Sequence, residues 1–268
     1  MGITRDDDSR ILDYGPVAAA GETIAFGTFP FSRTIAHRRL SLSFSDDAGI
    51  TRYCRSFGGT SVEKTIAVSR KEYTVRPLPP MHLPEPVTDF LQVKFNEIRL
   101  EPGADTVIFV TIPLEIGISL ASQDGEEHTI DVFGFVPPKF ALYGTATRGI
   151  LTRIITSEAT GSPRPTKNYR ECLLRIKLRN ASSSWVSVSR VLLYMNTLVF
   201  HYDAACVSSC VSVIISNANK ATVLCTDHAL HDHMTRVDAI GPTRKFDKFC
   251  NVRKVIEDNA VVMDMGLI

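Results

Sequence analysis

The chain has 268 residues, of which 44% are hydrophobic and 22% are charged, the composition of an ordinary soluble globular protein. Thirty basic and 29 acidic side chains give a net charge of +1. This balance argues against a dedicated nucleic-acid-binding protein, because such proteins are normally strongly basic. A chain of this length buries enough apolar surface to fold without a metal ion or disulfides.

The N-terminal sequence MGITRDDDSRILDYG has three consecutive aspartates, where a secretory signal peptide has a basic start and an apolar stretch. No segment approaches the ~18 uninterrupted apolar residues of a transmembrane helix. Six cysteines without an export signal indicate reduced thiols rather than a disulfide framework. We therefore predict a cytoplasmic protein without a membrane span.

The first third of the chain predicts short β-strands, since its apolar residues recur at every second position. Turn-forming residues such as Asp46, Asp47 and Gly49 separate these strands. The predicted strands cover residues 23–29, 36–44, 50–57 and 62–70. Five prolines in the sequence VRPLPPMHLPEPV (residues 75–87) then favour a stiff, extended connector between two sheets or subdomains.

The strongest alternation in the chain covers residues 108–120, where every even position is apolar. Thirteen residues are long for one strand, and Pro113 cannot donate a hydrogen bond to a neighbouring strand. We therefore predict a strand that bends or changes sheet near Pro113, as at the corner of a sandwich or barrel.

The second half continues with short strands between turn signals, and helix signals are nearly absent. A polar loop is predicted at residues 157–168, and the last forty residues show no clear period until residues 260–265. The predicted strands are 90–100, 129–136, 140–143, 147–156, 169–179, 185–193, 198–202, 206–215 and 222–225.

The fold class predicted from these patterns is all-β, with antiparallel β-sandwich-like sheets in two packed subdomains and very little helix. We expect an N-terminal β subdomain at residues 1–80 and a main β-sandwich subdomain at residues 81–225. Residues 226–268 are predicted to form a tail that returns one strand to the sheet.

Three histidines lie close together in the sequence DHALHDH (residues 227–233). On a helical turn His228 and His231 share a face, whereas on an extended segment His231 and His233 share one. Neutral imidazoles ligate zinc and similar ions, so these histidines are candidate ligands for a divalent transition metal. Only two of them converge easily, and a further ligand must come from elsewhere, such as Asp227, Asp232 or His201. The alternative is a polar, His-rich surface loop.

Cys206 and Cys210 have a C-x3-C spacing that suggests a metal or redox site, but the segment around them alternates as a strand does. At ~3.3 Å per residue their sulfurs would lie about 13 Å apart. That separation is too large for a disulfide or a shared ion. We therefore interpret both cysteines as small residues on the second face of a strand.

A basic segment covers residues 163–179, with six basic side chains and one acidic side chain. Arg175, Lys177 and Arg179 alternate with leucine and isoleucine, which predicts a strand with one buried face and one basic face. Together with Arg170, they are candidates for binding a phosphate, an anionic lipid or an acidic partner. The alternative is a solvated strand face, or an edge strand protected by charge.

A candidate ligand pocket comprises Glu115, Lys139 and Tyr143. Glu115 interrupts the strongest strand and could act as a general acid or base if buried, although a solvent-facing position is the ordinary case. Lys139 and Tyr143 flank a short apolar segment after two prolines and either line a pocket or end a strand. His201 and Asp203 could also orient one another as a base and its acidic partner.

Three stretches of the chain are distinctive in combination: IPLEIGI (residues 112–118), PKFALYG (residues 138–144) and MDMGLI (residues 263–268). Together they resemble an archaeal family of uncharacterised proteins, domain-of-unknown-function family 432. The resemblance extends over nearly the whole chain. It implies an archaeal origin, agrees with a cytoplasmic location, and supplies no activity or catalytic residue.

The common phosphate-binding and nucleophile motifs G-x-G-x-x-G, G-x-x-x-x-G-K, G-x-S-x-G and H-E-x-x-H are missing from the sequence. We therefore predict a non-catalytic binding or protein-interaction module that uses an exposed sheet face or edge. One alternative is a metal-binding protein or metal-dependent enzyme built on His228, His231 and His233. Another is an anion or nucleic-acid contact through residues 175–179. Unprotected strand edges make a homo-oligomer possible.

Overall fold

The structure, a computed structural model, describes residues 26–37, 39–47, 49–81, 83, 86–167, 169–237, 256–257 and 260–264. These residues form twenty β-strands and one short 3₁₀ turn at Met195–Thr197. No helix in this part of the chain is long and apolar enough to cross a membrane. The twenty strands and the single short 3₁₀ turn confirm the predicted all-β fold for the described residues.

The chain divides into two compact units that are built from interleaved segments. Among the described residues, the smaller unit combines residues 26–76 with residues 116–133, and the larger one combines residues 77–115 with those from 134 onward. Each unit holds two β-sheets.

The smaller unit consists of two four-stranded sheets, β1-β6-β9-β10 and β2-β3-β4-β5. Their strands are β1 (Gly27–Pro30), β2 (Ile35–His37), β3 (Leu40–Asp47), β4 (Ile50–Phe57), β5 (Thr60–Ile66), β6 (Glu72–Leu78), β9 (Glu115–Ala121) and β10 (Glu127–Gly134). Aromatic rings from both sheets form the core: the ring of Phe44 lies 4.4 Å from Phe31, 4.6 Å from Tyr73 and 5.2 Å from Tyr53. This ring contact makes the unit a small sandwich.

A buried polar network lies beside these rings. Asp131 on β10 accepts a hydrogen bond of 2.6 Å from the Tyr53 hydroxyl and one of 2.5 Å from Arg55 Nε, both donors lying on β4. The Arg55 guanidinium also lies 4.5 Å above the ring of Phe133. One carboxylate thus ties the second sheet to the first.

The larger unit contains a four-stranded sheet of order β11-β12-β7-β14 and an eight-stranded sheet. In the eight-stranded sheet, β18-β15-β16-β17-β20-β19 form one path, and β13 lies between β16 and β8. Its strands are β7 (Phe90–Leu100), β8 (Asp105–Pro113), β11 (Lys139–Tyr143), β12 (Ile150–Thr156), β13 (Glu171–Asn180), β14 (Val186–Tyr194), β15 (His201–Tyr202), β16 (Val207–Asn217), β17 (Lys220–Thr226), β18 (Thr235–Arg236), β19 (Ile256–Glu257) and β20 (Ala260–Asp264).

Rows of fully buried apolar side chains on the eight-stranded sheet contribute to the core of the larger unit. On β13 this row is Leu174, Ile176 and Leu178, and on β16 it includes Val213 and Ile215. β20 pairs antiparallel with β17, so a strand near the C-terminus belongs to the eight-stranded sheet.

The long alternating segment is two strands, as its proline predicts. β8 ends at Pro113 and β9 begins at Glu115, and the two strands belong to different sheets. The predicted change of sheet near Pro113 is confirmed.

Candidate functional site

The second face of the eight-stranded sheet is partly covered by residues 227–234, here called the cover segment, which lead into β18 of the same sheet. Leu230 and Met234 of this segment pack in one cluster with Phe109, Leu173 and Cys206 from the sheet. The Ser208 hydroxyl also donates a hydrogen bond of 3.2 Å to the Met234 sulfur. A small apolar cluster thus fixes the cover segment close to the start of β16.

A group of metal-ligand side chains surrounds this cluster. One ligand atom from each of Asp203, Cys206 and His231 lies within 4.8 Å of the other two. Asp203 and Cys206 come from the short connection between β15 and β16, whereas His231 belongs to the cover segment. Tertiary folding therefore brings together carboxylate, thiol and imidazole, which we call the donor group.

The connection between β15 and β16 holds the Asp203 carboxylate in a fixed orientation. Its Oδ1 accepts hydrogen bonds from the backbone N–H groups of Ala205 (2.7 Å) and Cys206 (2.8 Å). This arrangement is an Asx-type turn, in which an aspartate side chain replaces a backbone acceptor. The turn holds the Asp203 carboxylate close to Cys206, so that an oxygen of Asp203 and the Cys206 sulfur lie within 4.8 Å of each other.

The cysteine of the donor group is fully buried. Burial, with a smaller contribution from the Asp203 carboxylate, raises the pKa of the Cys206 thiol to about 12. The thiol is therefore protonated at neutral pH, and a bound cation would replace its proton.

The imidazole of the donor group has an unused polar atom. His231 Nε2 is buried and has no hydrogen-bond partner among the described residues. A buried nitrogen without a partner costs free energy, which a ligand at this position would remove.

A second titratable pair joins β15 to the cover segment. His201 Nε2 on β15 lies 3.2 Å from Asp227 Oδ1, and Asp227 Oδ2 accepts a hydrogen bond of 2.8 Å from Arg236 Nε. Burial lowers the pKa of His201 although Asp227 opposes the shift, so the imidazole is neutral at neutral pH. The acidic partner of His201 is thus Asp227, and the pairing with Asp203 that the sequence suggests is wrong.

The structure separates the three histidines that the sequence predicts as ligands. His231 is half-buried and belongs to the donor group, whereas His228 and His233 are exposed and lie outside it. Sequence reasoning missed Asp203 and Cys206 as companions of His231, because 25 residues separate Cys206 from His231. The only local signal is the Asx-type turn at Asp203.

The other described cysteines have no disulfide partner, and Cys210 lies opposite Thr226 in the register of β16 and β17. Burial raises the pKa of the Cys210 thiol above its usual value. Arg175 forms a hydrogen bond with that thiol, which lowers the pKa by a smaller amount.

The basic residues of β13 alternate with buried ones, as predicted, but their strand is internal. Arg175 and Lys177 are half-buried and Arg179 is exposed, while Leu174, Ile176 and Leu178 are fully buried. Because β8 and β16 flank β13, the alternative of a charged edge strand is wrong. Arg170 precedes the strand, next to Tyr169, which has a positive φ of 59°. Anion binding here stays a prediction.

Glu115, Lys139 and Tyr143 have three different environments. Glu115 is buried, contrary to the solvent-facing position expected, and its Oε1 lies 3.6 Å from Arg153 Nη1. Lys139 is exposed at the start of β11. Tyr143 is buried, and the guanidinium of Arg190 lies 5.3 Å from its ring centre. A pocket shared by all three stays a prediction.

Comparison with known proteins gives one match. A family model described as protein of unknown function (DUF432) matches residues 25–264. No curated protein and no solved structure matches the chain.

Proposed function

Because this chain belongs to the DUF432 family of proteins of unknown function, its activity has to be inferred from its own residues. We propose that it is a binding protein that holds a divalent transition metal of the zinc class through Asp203, Cys206 and His231. The observation that carries the proposal is the convergence of three ligand atoms within 4.8 Å of one another.

The chemistry of the donor group fits zinc. Zn²⁺ prefers thiolate, imidazole and carboxylate ligands in tetrahedral geometry, where neighbouring ligand atoms lie about 3.3–3.8 Å apart. The three ligand atoms, which lie within 4.8 Å of one another, would have to move closer together to reach that spacing. Two anionic ligands would neutralise the dication, and the fourth position would take a water or an external ligand.

The ligands come from two parts of the fold. Asp203 and Cys206 belong to the connection between β15 and β16, and His231 belongs to the cover segment. An ion that binds all three joins the cover segment to the sheet and stabilises the folded chain by mass action. We also infer a cytoplasmic location, where reducing conditions keep Cys206 available as a ligand.

Zinc titration of the full-length, untagged chain tests this proposal. We expect about one zinc ion per chain and a higher thermal midpoint when zinc is added. The substitutions Cys206→Ala and His231→Ala should each weaken zinc binding more than about tenfold, because loss of even an outer-shell partner of a ligand costs about 10–100-fold in affinity. Competition with a chromophoric chelator measures the affinity.

The matched controls are His228→Ala and His233→Ala, which change exposed histidines of the same segment outside the donor group. Both variants should bind zinc as the unchanged chain does. Equal losses in all three histidine variants would instead identify the sequence-local cluster as the site. Substoichiometric zinc, below about a tenth of an equivalent after loading and desalting, would contradict any tight metal site in this chain.

A further inference from the structure

β11 (Lys139–Tyr143) carries an unusual amount of exposed apolar surface for an edge strand. It pairs with β12 and with no other strand of the described chain. Phe140 and Leu142 share one of its faces and are 39% and 48% exposed. Only two further large apolar side chains among the described residues are exposed, Ile50 and Trp185.

Two other edge strands in the structure are protected in ways that this strand is not. β5 (Thr60–Ile66) carries Glu63 and Lys64, and β1 (Gly27–Pro30) ends at a proline. Such charges and prolines are the usual protection of an edge against pairing with another chain. β11 has no proline within its bounds, and its one charge, Lys139, is at its first position.

We propose that β11 is a dimerisation edge that pairs antiparallel with β11 of a second copy of this chain, with the two-fold axis at Ala141. The sequence KFALY is complementary to itself in this register. Ala141 lies opposite Ala141 of the second copy, and Phe140 lies opposite Leu142. Each exposed apolar side chain thus acquires an apolar neighbour directly across the strand pair.

The same register also suits the charges and the symmetry. Lys139 lies opposite Tyr143 of the second copy, so the two lysines stay apart at opposite ends of the pairing. A two-fold contact uses one surface patch twice and closes as a dimer. Strand addition of this kind joins two four-stranded sheets into one sheet of eight strands.

Pairing over five residues is short, so the dimer is expected to be weak and to depend on protein concentration. Sedimentation velocity of the full-length chain, from about 1 μM to about 1 mM, covers the range in which such contacts dissociate. A chelator in the buffer excludes bridging by metal ions, so this test is independent of the zinc proposal.

We expect Leu142→Lys to weaken the dimer at least about tenfold. Ile50→Lys, which changes an apolar side chain of similar exposure in the smaller unit, should leave it unchanged.

Cross-linking tests the register itself. Directly opposed residues of an antiparallel pair have Cα atoms about 4.5–5.5 Å apart, within the range that a disulfide spans. Ala141→Cys should therefore form a disulfide-linked dimer under mild oxidation. In Lys139→Cys the two introduced thiols lie about 13 Å apart along the strands, so this variant should not cross-link.

Three results would overturn the proposal. A monomer over the whole concentration range excludes the dimer. A dimer that Leu142→Lys leaves intact uses another surface. Equal cross-linking of Lys139→Cys and Ala141→Cys, with the unchanged chain as background, contradicts the register at Ala141.

Discussion

The carboxylate of Asp131 is the only anion that contacts both Tyr53 and Arg55 in the described hydrogen-bond network of the smaller unit. All three residues are buried. Although burial opposes ionisation, the hydrogen bonds from Arg55 and Tyr53 hold the pKa of the Asp131 carboxyl below its usual value. Removing this charge leaves a buried guanidinium without its counterion.

We expect Asp131→Asn to lower the free energy of unfolding by about 3 kcal/mol at pH 7, because breaking a buried ion pair on one side is costly. A depressed carboxyl pKa contributes stability above the unfolded-state value of about 3.9, and this contribution is lost as the pH falls through the lower folded value. The difference between the two proteins should therefore shrink below about pH 4. Urea unfolding at several pH values measures it.

Asp46→Asn provides the matched control, because Asp46 forms an exposed ion pair with Lys71 at 2.8 Å. Exposed pairs contribute little to stability. Equal destabilisation by the two substitutions would contradict the role given to burial at Asp131.

Glu115 shows why a single residue can be misjudged from sequence. On its strand it stands between leucine and isoleucine, a pattern that usually places a carboxylate toward solvent. Its ion-pair partner, Arg153, is 38 residues away in the chain and is also buried. No local pattern indicates such a partner, so burial of the charge could not be predicted.

Elements, by contrast, were predictable where the pattern is local. The alternation at residues 108–120 predicts a strand, and Pro113 predicts its interruption, because both depend on neighbouring residues. The gap between the predicted strands 169–179 and 185–193 also indicates a turn after β13, but it does not reveal the role of Asn180. Its amide donates to the carbonyl oxygens of Leu100, Glu101 and Ser184, and two of these acceptors are distant in sequence.

The donor group contains one residue that local sequence identifies as a candidate ligand and others that depend on distant parts of the chain. His231 was a candidate ligand because histidine is chemically distinctive, and local sequence suffices for that. The alternation around Cys206 indicates only a strand residue, since its companions in the donor group depend on how the cover segment lies on the sheet. Sheet order and loop placement are set by long-range packing, which one sequence does not display.

The hairpin of β11 and β12 depends on a close backbone approach at Gly149. A methyl group there would lie 2.6 Å from the carbonyl oxygen of Thr145 and 2.8 Å from that of Tyr143. We expect Gly149→Ala to destabilise the chain by about 2 kcal/mol, because backbone atoms must shift to make room. The urea midpoint of unfolding should fall accordingly.

Gly161→Ala is the control for that experiment, since a methyl group at Gly161 meets no atom within 4 Å. Its urea midpoint should stay close to that of the unchanged chain. If Gly149→Ala also unfolds at the unchanged midpoint, the hairpin accommodates the methyl group and the steric argument is wrong.

At the scale of the whole molecule, the two units are interleaved along the chain, and this connectivity determines which residues each unit needs in order to fold. The smaller unit is built from residues 26–76 and 116–133, so the predicted N-terminal subdomain at residues 1–80 includes only the first of these segments. β9 and β10 are encoded after β7 and β8, which belong to the sheets of the larger unit. The smaller unit therefore cannot fold completely without β9 and β10, which follow β7 and β8 of the larger unit in the sequence.

This connectivity predicts that residues 1–80 do not fold alone. Without β9 and β10 the sheet β1-β6-β9-β10 loses half of its strands, and Tyr53 and Arg55 lose Asp131. Such a remnant has too little buried surface and leaves polar groups without partners. Its amide proton NMR spectrum should be poorly dispersed.

Adding a synthetic peptide of residues 115–134 should restore dispersed signals, because it supplies both missing strands and the carboxylate. The same peptide with Asp131→Asn should bind more weakly, since the buried guanidinium of Arg55 then lacks its charge partner. A well-dispersed spectrum from residues 1–80 alone would show instead that the first segment contains a complete core. In that case β9 and β10 only extend a sheet that is already stable, and the unit depends on sequence order less than its interleaved chain implies.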